Sequence, residues 1–141
     1  MGVRLGTKEL NDAILHKQET DTEFQAKLKG LTFNFLLVGT DAPGNQDYQY
    51  EIKLQKGRFV HLGFDAQPAP SKIREPGFDK NEYQAKCVAP HKTLYDLISG
   101  NLELLEALRT VYIYGDFGKF MTQLPGFMGF IEFVTTLGIE P

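Results

Sequence analysis

One cysteine, three scattered histidines and no long apolar run set the first limits on this chain. The lone thiol, Cys87, excludes an internal disulfide and any cysteine-rich zinc site, and it favours an intracellular setting. His16, His61 and His91 show no i, i+4 pairing, so no metal and no other cofactor is expected. No stretch approaches the roughly 18 apolar residues of a spanning helix, and stable membrane insertion is not expected. The amino terminus has no apolar core of signal-peptide length, and Gly6 stands where a myristoylation pattern needs Ser or Thr. The expectation is a soluble, cytoplasmic protein.

Basic charge is scarce as well. Fifteen Lys and Arg stand against 18 Asp and Glu, for a net charge of −3. With no basic patch to meet phosphates, nucleic-acid binding is excluded. No Gly-x-Ser-x-Gly, phosphate loop, dinucleotide fingerprint or His-Glu-x-x-His occurs, so no catalytic residue is assigned.

What is present fits one domain over residues 1–141. Leu10, Ile14 and Leu15, then Phe24, Leu28 and Leu31, fall at helical spacing. Thr20-Asp21-Thr22-Glu23 between them has the form of a capping box led by Thr20, which predicts two helices, or one with a sharp bend near Glu19, ended by Gly30. The period then changes to two. Strands are expected over residues 31–38, with both faces largely buried, over 48–54, and over 60–64 with Val60, Leu62 and Phe64 inward. Residues 39–45 read as a loop and Lys56-Gly57 as a tight turn. Pro68, Pro70, Pro76 and Gly77 make residues 65–80 the longest expected loop. A fourth strand, 82–89, turns Tyr83, Ala85, Cys87 and Ala89 inward and Glu82, Gln84 and Lys86 outward. Thr93 and Asn101 are candidate caps of two short helices, the first burying Leu94, Leu97 and Ile98 and the second Leu104, Leu105 and Leu108. Val111 and Ile113 mark a last strand. The order is α+β, a largely antiparallel sheet of about five strands with helices on one face.

The tail from residue 117 to 138 is the apolar excess of the chain. It holds five of the eleven phenylalanines and only two charges, Lys119 and Glu132. Phe120, Leu124, Phe127, Ile131 and Val134 form an ordinary amphipathic stripe, interrupted at Pro125-Gly126, and core packing explains them. Phe117, Met121, Met128, Phe130 and Phe133 fall largely off the stripe. They ask for a second apolar neighbour, which would be an oligomer contact or an apolar ligand. Pliable Met suits a pocket that accepts varied shapes.

The ordered set Asp96-Leu97-Ile98-Ser99-Gly100, Leu104-Leu105-Glu106-Ala107-Leu108 and Val111-Tyr112-Ile113-Tyr114-Gly115-Asp116 resembles the later half of the sterol carrier protein 2 domain family. Arg109-Thr110 and the outward Tyr112 and Tyr114 depart from the family's usual residues. The resemblance implies a five-stranded sheet with helices enclosing an apolar tunnel that takes fatty acids, acyl-CoA esters, phospholipids or sterols.

Three readings of function compete. In the first, the protein is a non-enzymatic binder or carrier of lipid. Its ligand lies between a sheet face with Phe33, Phe35, Ala85, Cys87, Val111 and Ile113 and a tail with Phe117, Phe120, Met121, Leu124, Phe127, Met128 and Ile131. In the second, the tail is a homodimer or docking face. In the third, an enzyme uses Cys87 with His91, or carboxylates of the loop near Asp65, Asp79 and Glu82.

Overall fold

The structure, a computed structural model, describes residues 8–27 and 30–135, without the side chains of Lys8, Phe24, Lys27, Leu104, Leu124 and Phe133. The amino-terminal readings around Gly6, the helical position of Leu28 and the end of the tail lie outside those residues. So do the side chains of Phe24, Leu104, Leu124 and Phe133.

Two helices open the chain, α1 (Lys8–Thr20) and α2 (Thr22–Lys27). The break between them falls one residue later than the capping-box reading places it. Thr20 is still inside α1, so its hydroxyl donates back to the His16 carbonyl at 3.0 Å. Asp21 sits at the break instead, and its carboxylate accepts from the Glu23 amide at 3.0 Å.

Five strands follow the change of period: β1 (Phe33–Ala42), β2 (Gln46–Gln55), β3 (Arg58–Pro68), β4 (Ala85–Pro90) and β5 (Tyr112–Gly115). Their order in the sheet is β3-β2-β1-β4-β5. Three pairings are antiparallel, and β1 with β4 is parallel, so the sheet is mixed. The parallel pair arises because the long segment after β3 crosses back over the sheet before β4 begins. Strand β1 runs on to Ala42 past an irregularity between Gly39 and Ala42, which shortens the expected loop to a tight turn. The β2–β3 turn at Lys56-Gly57 has both residues at positive φ, 51° and 79°, the conformation a two-residue hairpin demands.

A bulge between Lys53 and Leu54 corrects the inward face of β3. The extra residue shifts the alternation, so Phe59 is buried and Val60 is 57% exposed, while Leu62 and Phe64 keep their inward places. Gln18 of α1 closes the bulge: its side-chain amide donates to the Phe59 carbonyl at 3.1 Å and its oxygen accepts from the Phe59 amide.

Strand β4 is buried on both faces. Alternation puts Lys86 outward in solvent, but it is buried, and its ammonium donates to the Gly77 carbonyl at 3.2 Å. The cause is the loop of residues 69–84, which lies against the outer face of the sheet. Asn34 donates its side-chain amide to Glu82 and its backbone amide to Gln84, while Lys53 pairs with Glu82 and lies 5.2 Å from the Tyr83 ring centre.

Helices α3 (His91–Ile98), α4 (Leu104–Ala107), α5 (Phe117–Thr122) and α6 (Leu124–Thr135) complete the fold. Helix α3 starts directly from Pro90 without a side-chain cap, so Thr93 lies inside it. Asn101 bonds Ser99 rather than capping α4, and Leu105 is exposed while Ala107 is fully buried. Gly115 has a packing reason to be glycine. At φ 106° any Cβ would stand 2.4 Å from the Gln84 carbonyl oxygen. Asp116 then caps α5, accepting from the Lys119 amide at 2.9 Å.

Candidate functional site

The inner face of the sheet and the helices do not close completely against each other. They leave an apolar cavity of about 120 Å³. Its floor is the alternate inward residues of four strands: Phe35 and Leu37, Tyr50 and Ile52, Leu62, and Cys87. Period-two alternation puts these on one face. Leu10 and Ile14 of α1, Leu94, Leu97 and Ile98 of α3, and Phe127, Phe130, Ile131 and Val134 of α6 form its walls and roof, at helical spacing. Leu108 and Val111 close the side between α4 and β5. Among the described lining residues, only Asn11, Tyr50 and Cys87 carry a polar side-chain group.

An aromatic cluster holds α5 and α6 to the sheet beside the cavity. Phe127 meets Phe33 edge-on at 5.6 Å and Phe35 at 5.1 Å, and Phe120 at 4.8 Å. Such pairs contribute about 0.5–1.5 kcal/mol each beyond burial. Phe130 packs on Phe59 at 5.5 Å.

Of the residues singled out from the sequence, Phe35, Cys87, Val111, Phe120, Phe127 and Ile131 line the cavity. Phe33 and Ala85 are fully buried and Ile113 is half-buried, all in the packing beside it. Phe117, Met121 and Met128 face outward, 52%, 36% and 43% exposed. The reason is helical geometry: the stripe through Phe120, Phe127 and Val134 takes the inward side and Phe130, read as off the stripe, joins it against Phe59, while Phe117, Met121 and Met128 turn away. The Leu124 side chain lies outside the described residues. The sequence reading misses the contributions of α1 and α3, although Leu10, Ile14, Leu94 and Leu97 stand out in it as apolar faces. Nothing local says that those faces border a void rather than a filled core.

Burial pushes the Cys87 thiol up to about 12, so it is protonated at neutral pH. His91 is buried with neither ring nitrogen hydrogen-bonded, edge-on to Tyr48 at 5.4 Å, and burial lowers its pKa. No thiol–imidazole hydrogen bond joins Cys87 to His91, which corrects the nucleophile reading. Asp65, Asp79 and Glu82 are exposed and engaged locally with Gln67, Asn81 and Lys53. Among the described residues no group of three or more His, Cys, Asp and Glu is arranged to hold a metal ion. Nor is any described helix long and apolar enough to cross a membrane.

No protein-family model matches the chain, and no curated protein matches it significantly. Solved structures do match. Sterol carrier protein 2 superposes over 94% of this chain and 98% of its own with a TM-score of 0.70 at 15% identity. A Thermus thermophilus protein, suggested to be a sterol carrier protein, gives 0.69 at 17% identity over 99% and 94%. The sterol carrier protein domain 2 of Helicoverpa armigera gives 0.51 at 16% identity over 92% and 87%. The chain therefore has the sterol carrier protein 2 fold, as the motifs of residues 93–116 implied.

Proposed function

We propose that this protein, acting as one domain, is a non-enzymatic binder or carrier of a hydrophobic ligand of the fatty-acid, acyl-CoA, phospholipid or sterol kind, held between the sheet and the C-terminal helices. The observation that carries this reading is the apolar cavity. An empty void of this size costs about 3 kcal/mol at roughly 24 cal/mol per Å³, a sizeable share of the 5–15 kcal/mol that typically holds a domain folded. Each ligand methylene buried there recovers about 0.8 kcal/mol. The fold shared with sterol carrier proteins supports the same reading. A cytoplasmic setting, with its single buried thiol reduced, belongs with it.

The test is displacement of a fluorescent fatty acid from the delipidated protein by members of each lipid class. Saturable displacement by at least one class is expected; no binding of any class overturns the proposal. Native mass spectrometry of the protein as purified would give the mass of a retained lipid.

A second reading, an interaction module, is favoured by one observation: Phe117, Met121 and Met128 are exposed on the C-terminal helices. It predicts a lipid-independent dimer that dissociates on Phe117→Asp, read by mass in solution. Phe127 is unsuitable for that test because it is buried in the aromatic cluster.

A further inference from the structure

The cavity is small for a lipid. An engineered apolar void of about 150 Å³ takes one benzene, so about 120 Å³ holds one segment of a chain and not the whole of it. The rest must lie elsewhere. A surface groove of about 480 Å³ runs between the end of α3, residues 100–105 and the outward side of α6. Leu97 and Ile131 line both the groove and the cavity, so among the described residues these two side chains stand between them. On the groove side the floor is apolar, with Leu102, Leu105 and Met128; Leu105 is 62% exposed and Met128 43%.

The polar side chains of the groove supply no cation: the Glu103 carboxylate lines it, and none of the described lining residues is basic. The Thr135 hydroxyl lies 2.9 Å from both the Ile98 and the Ile131 carbonyl oxygens, which take its single proton, so towards the groove its oxygen can only accept. A ligand head placed here meets acceptors and negative charge.

We infer that the groove is the outer half of the ligand site: the chain of an amphiphile passes between Leu97 and Ile131, and its head, uncharged and hydrogen-donating like an alcohol or a glycerol ester, lies beside Glu103. This inference rests on the cavity reading and narrows it. A free carboxylate or phosphate head is disfavoured by repulsion from Glu103. The exposed Leu105 and Met128, which core packing leaves unexplained, become the seat of the chain outside the cavity.

The experiment uses the full chain, delipidated, at pH 8, with displacement of a fluorescent alkyl probe by fatty acids, fatty alcohols and monoacylglycerols of matched length. The alcohol and the monoacylglycerol bind about tenfold more tightly than the acid, roughly the effect of one carboxylate repulsion near a surface. Glu103→Gln shrinks that gap to about threefold or less, and Glu103→Lys reverses it. Leu105→Ser with Met128→Ser flattens the gain of long chains over short ones but leaves a short alcohol bound as before, which also reports that the variant is folded. Equal affinity for acid and alcohol, or a gap that Glu103→Gln does not move, overturns the inference. So does a chain-length gain indifferent to Leu105 and Met128. If in those cases short alcohols still bind, the cavity reading stands alone; if no alkyl compound binds, both fall.

Discussion

The two faces of the sheet are covered in opposite ways. Part of the outer face lies under the loop of residues 69–84, and that cover is polar and held by hydrogen bonds and ion pairs. Its anchor is Asp47, fully buried, whose carboxylate accepts from Arg74 at 2.6 and 2.9 Å and from the amide and hydroxyl of Ser71 at 2.8 and 2.9 Å. Burial alone would raise the Asp47 pKa, but the bonds from Arg74, Ser71 and the Asp41 amide outweigh it and hold the carboxyl well below the usual carboxylate range. The inner face lies under helices, and that cover is apolar and incomplete. Under a polar cover each buried donor or acceptor needs a partner, or about 1–3 kcal/mol is lost. A void under the apolar cover costs a similar amount, about 3 kcal/mol, but an apolar chain that enters it restores the lost contacts. The room for a ligand therefore sits on the helix side.

The comparison breaks most visibly at the clasp. Arg74→Ala leaves the Asp47 carboxylate buried without its cation, and the expected loss is about 3 kcal/mol, at the lower end for a broken buried pair because the guanidinium is partly exposed. Urea unfolding measures it. Ligand affinity at a temperature where the variant is folded should not change, since none of the clasp lines the cavity; a loss of affinity in the folded variant would contradict the separation of the two faces.

His91 is the exception on the apolar side, a buried imidazole with neither nitrogen hydrogen-bonded, at the start of a helix that supplies three cavity residues. Its folded pKa is depressed below the ordinary 6.5, so both states are neutral above that value. As pH falls below it, the unfolded chain takes up a proton that the folded protein resists, and stability drops. The limiting slope is about 1.4 kcal/mol per pH unit. Denaturant midpoints from pH 7 to 5 should fall for the wild type by more than for His91→Phe. Parallel curves would show that the imidazole bears its proton in the fold.

Filling the void sharpens the contrast from the other side. Leu108 lines the cavity and is half-buried. Leu108→Phe should weaken binding of a fluorescent fatty acid about tenfold, equal to about 1.4 kcal/mol, with stability unchanged or slightly raised. The smallest effect belongs to a residue of neither cover: Phe117→Ser should shift the unfolding free energy by no more than about 0.5 kcal/mol. A larger loss would mean that its exposed ring is held by a partner molecule.

Much of the fold was legible because its signals are local. The change of period at Leu31, the Lys56-Gly57 hairpin and the Gly115-Asp116 closure each rest on backbone geometry within a few residues. The bulge that turns Phe59 in and Val60 out was not legible, because it depends on how β2 and β3 pair and on Gln18 arriving from α1. Lys86 reads as a solvent residue until a loop is laid over it. The candidate site was legible by half. Alternation identified Cys87 but left the inward face of the first strand, and with it Phe35, undecided; the tail stripe identified Phe120, Phe127 and Ile131, but Phe117, Met121 and Met128 fell on the far side of the same helices. Distance along a chain does not tell which side of a helix meets the sheet.

By itself the sequence determined the elements, their order and the apolar faces that had to be hidden, since propensity, period and turn chemistry act over a few residues. Only the tertiary structure decided that those faces meet imperfectly. A void is a property of how distant surfaces fit, and no short stretch of residues carries it. The same holds for the partition at Leu97 and Ile131, two residues that come from different helices and meet only when the sheet is roofed.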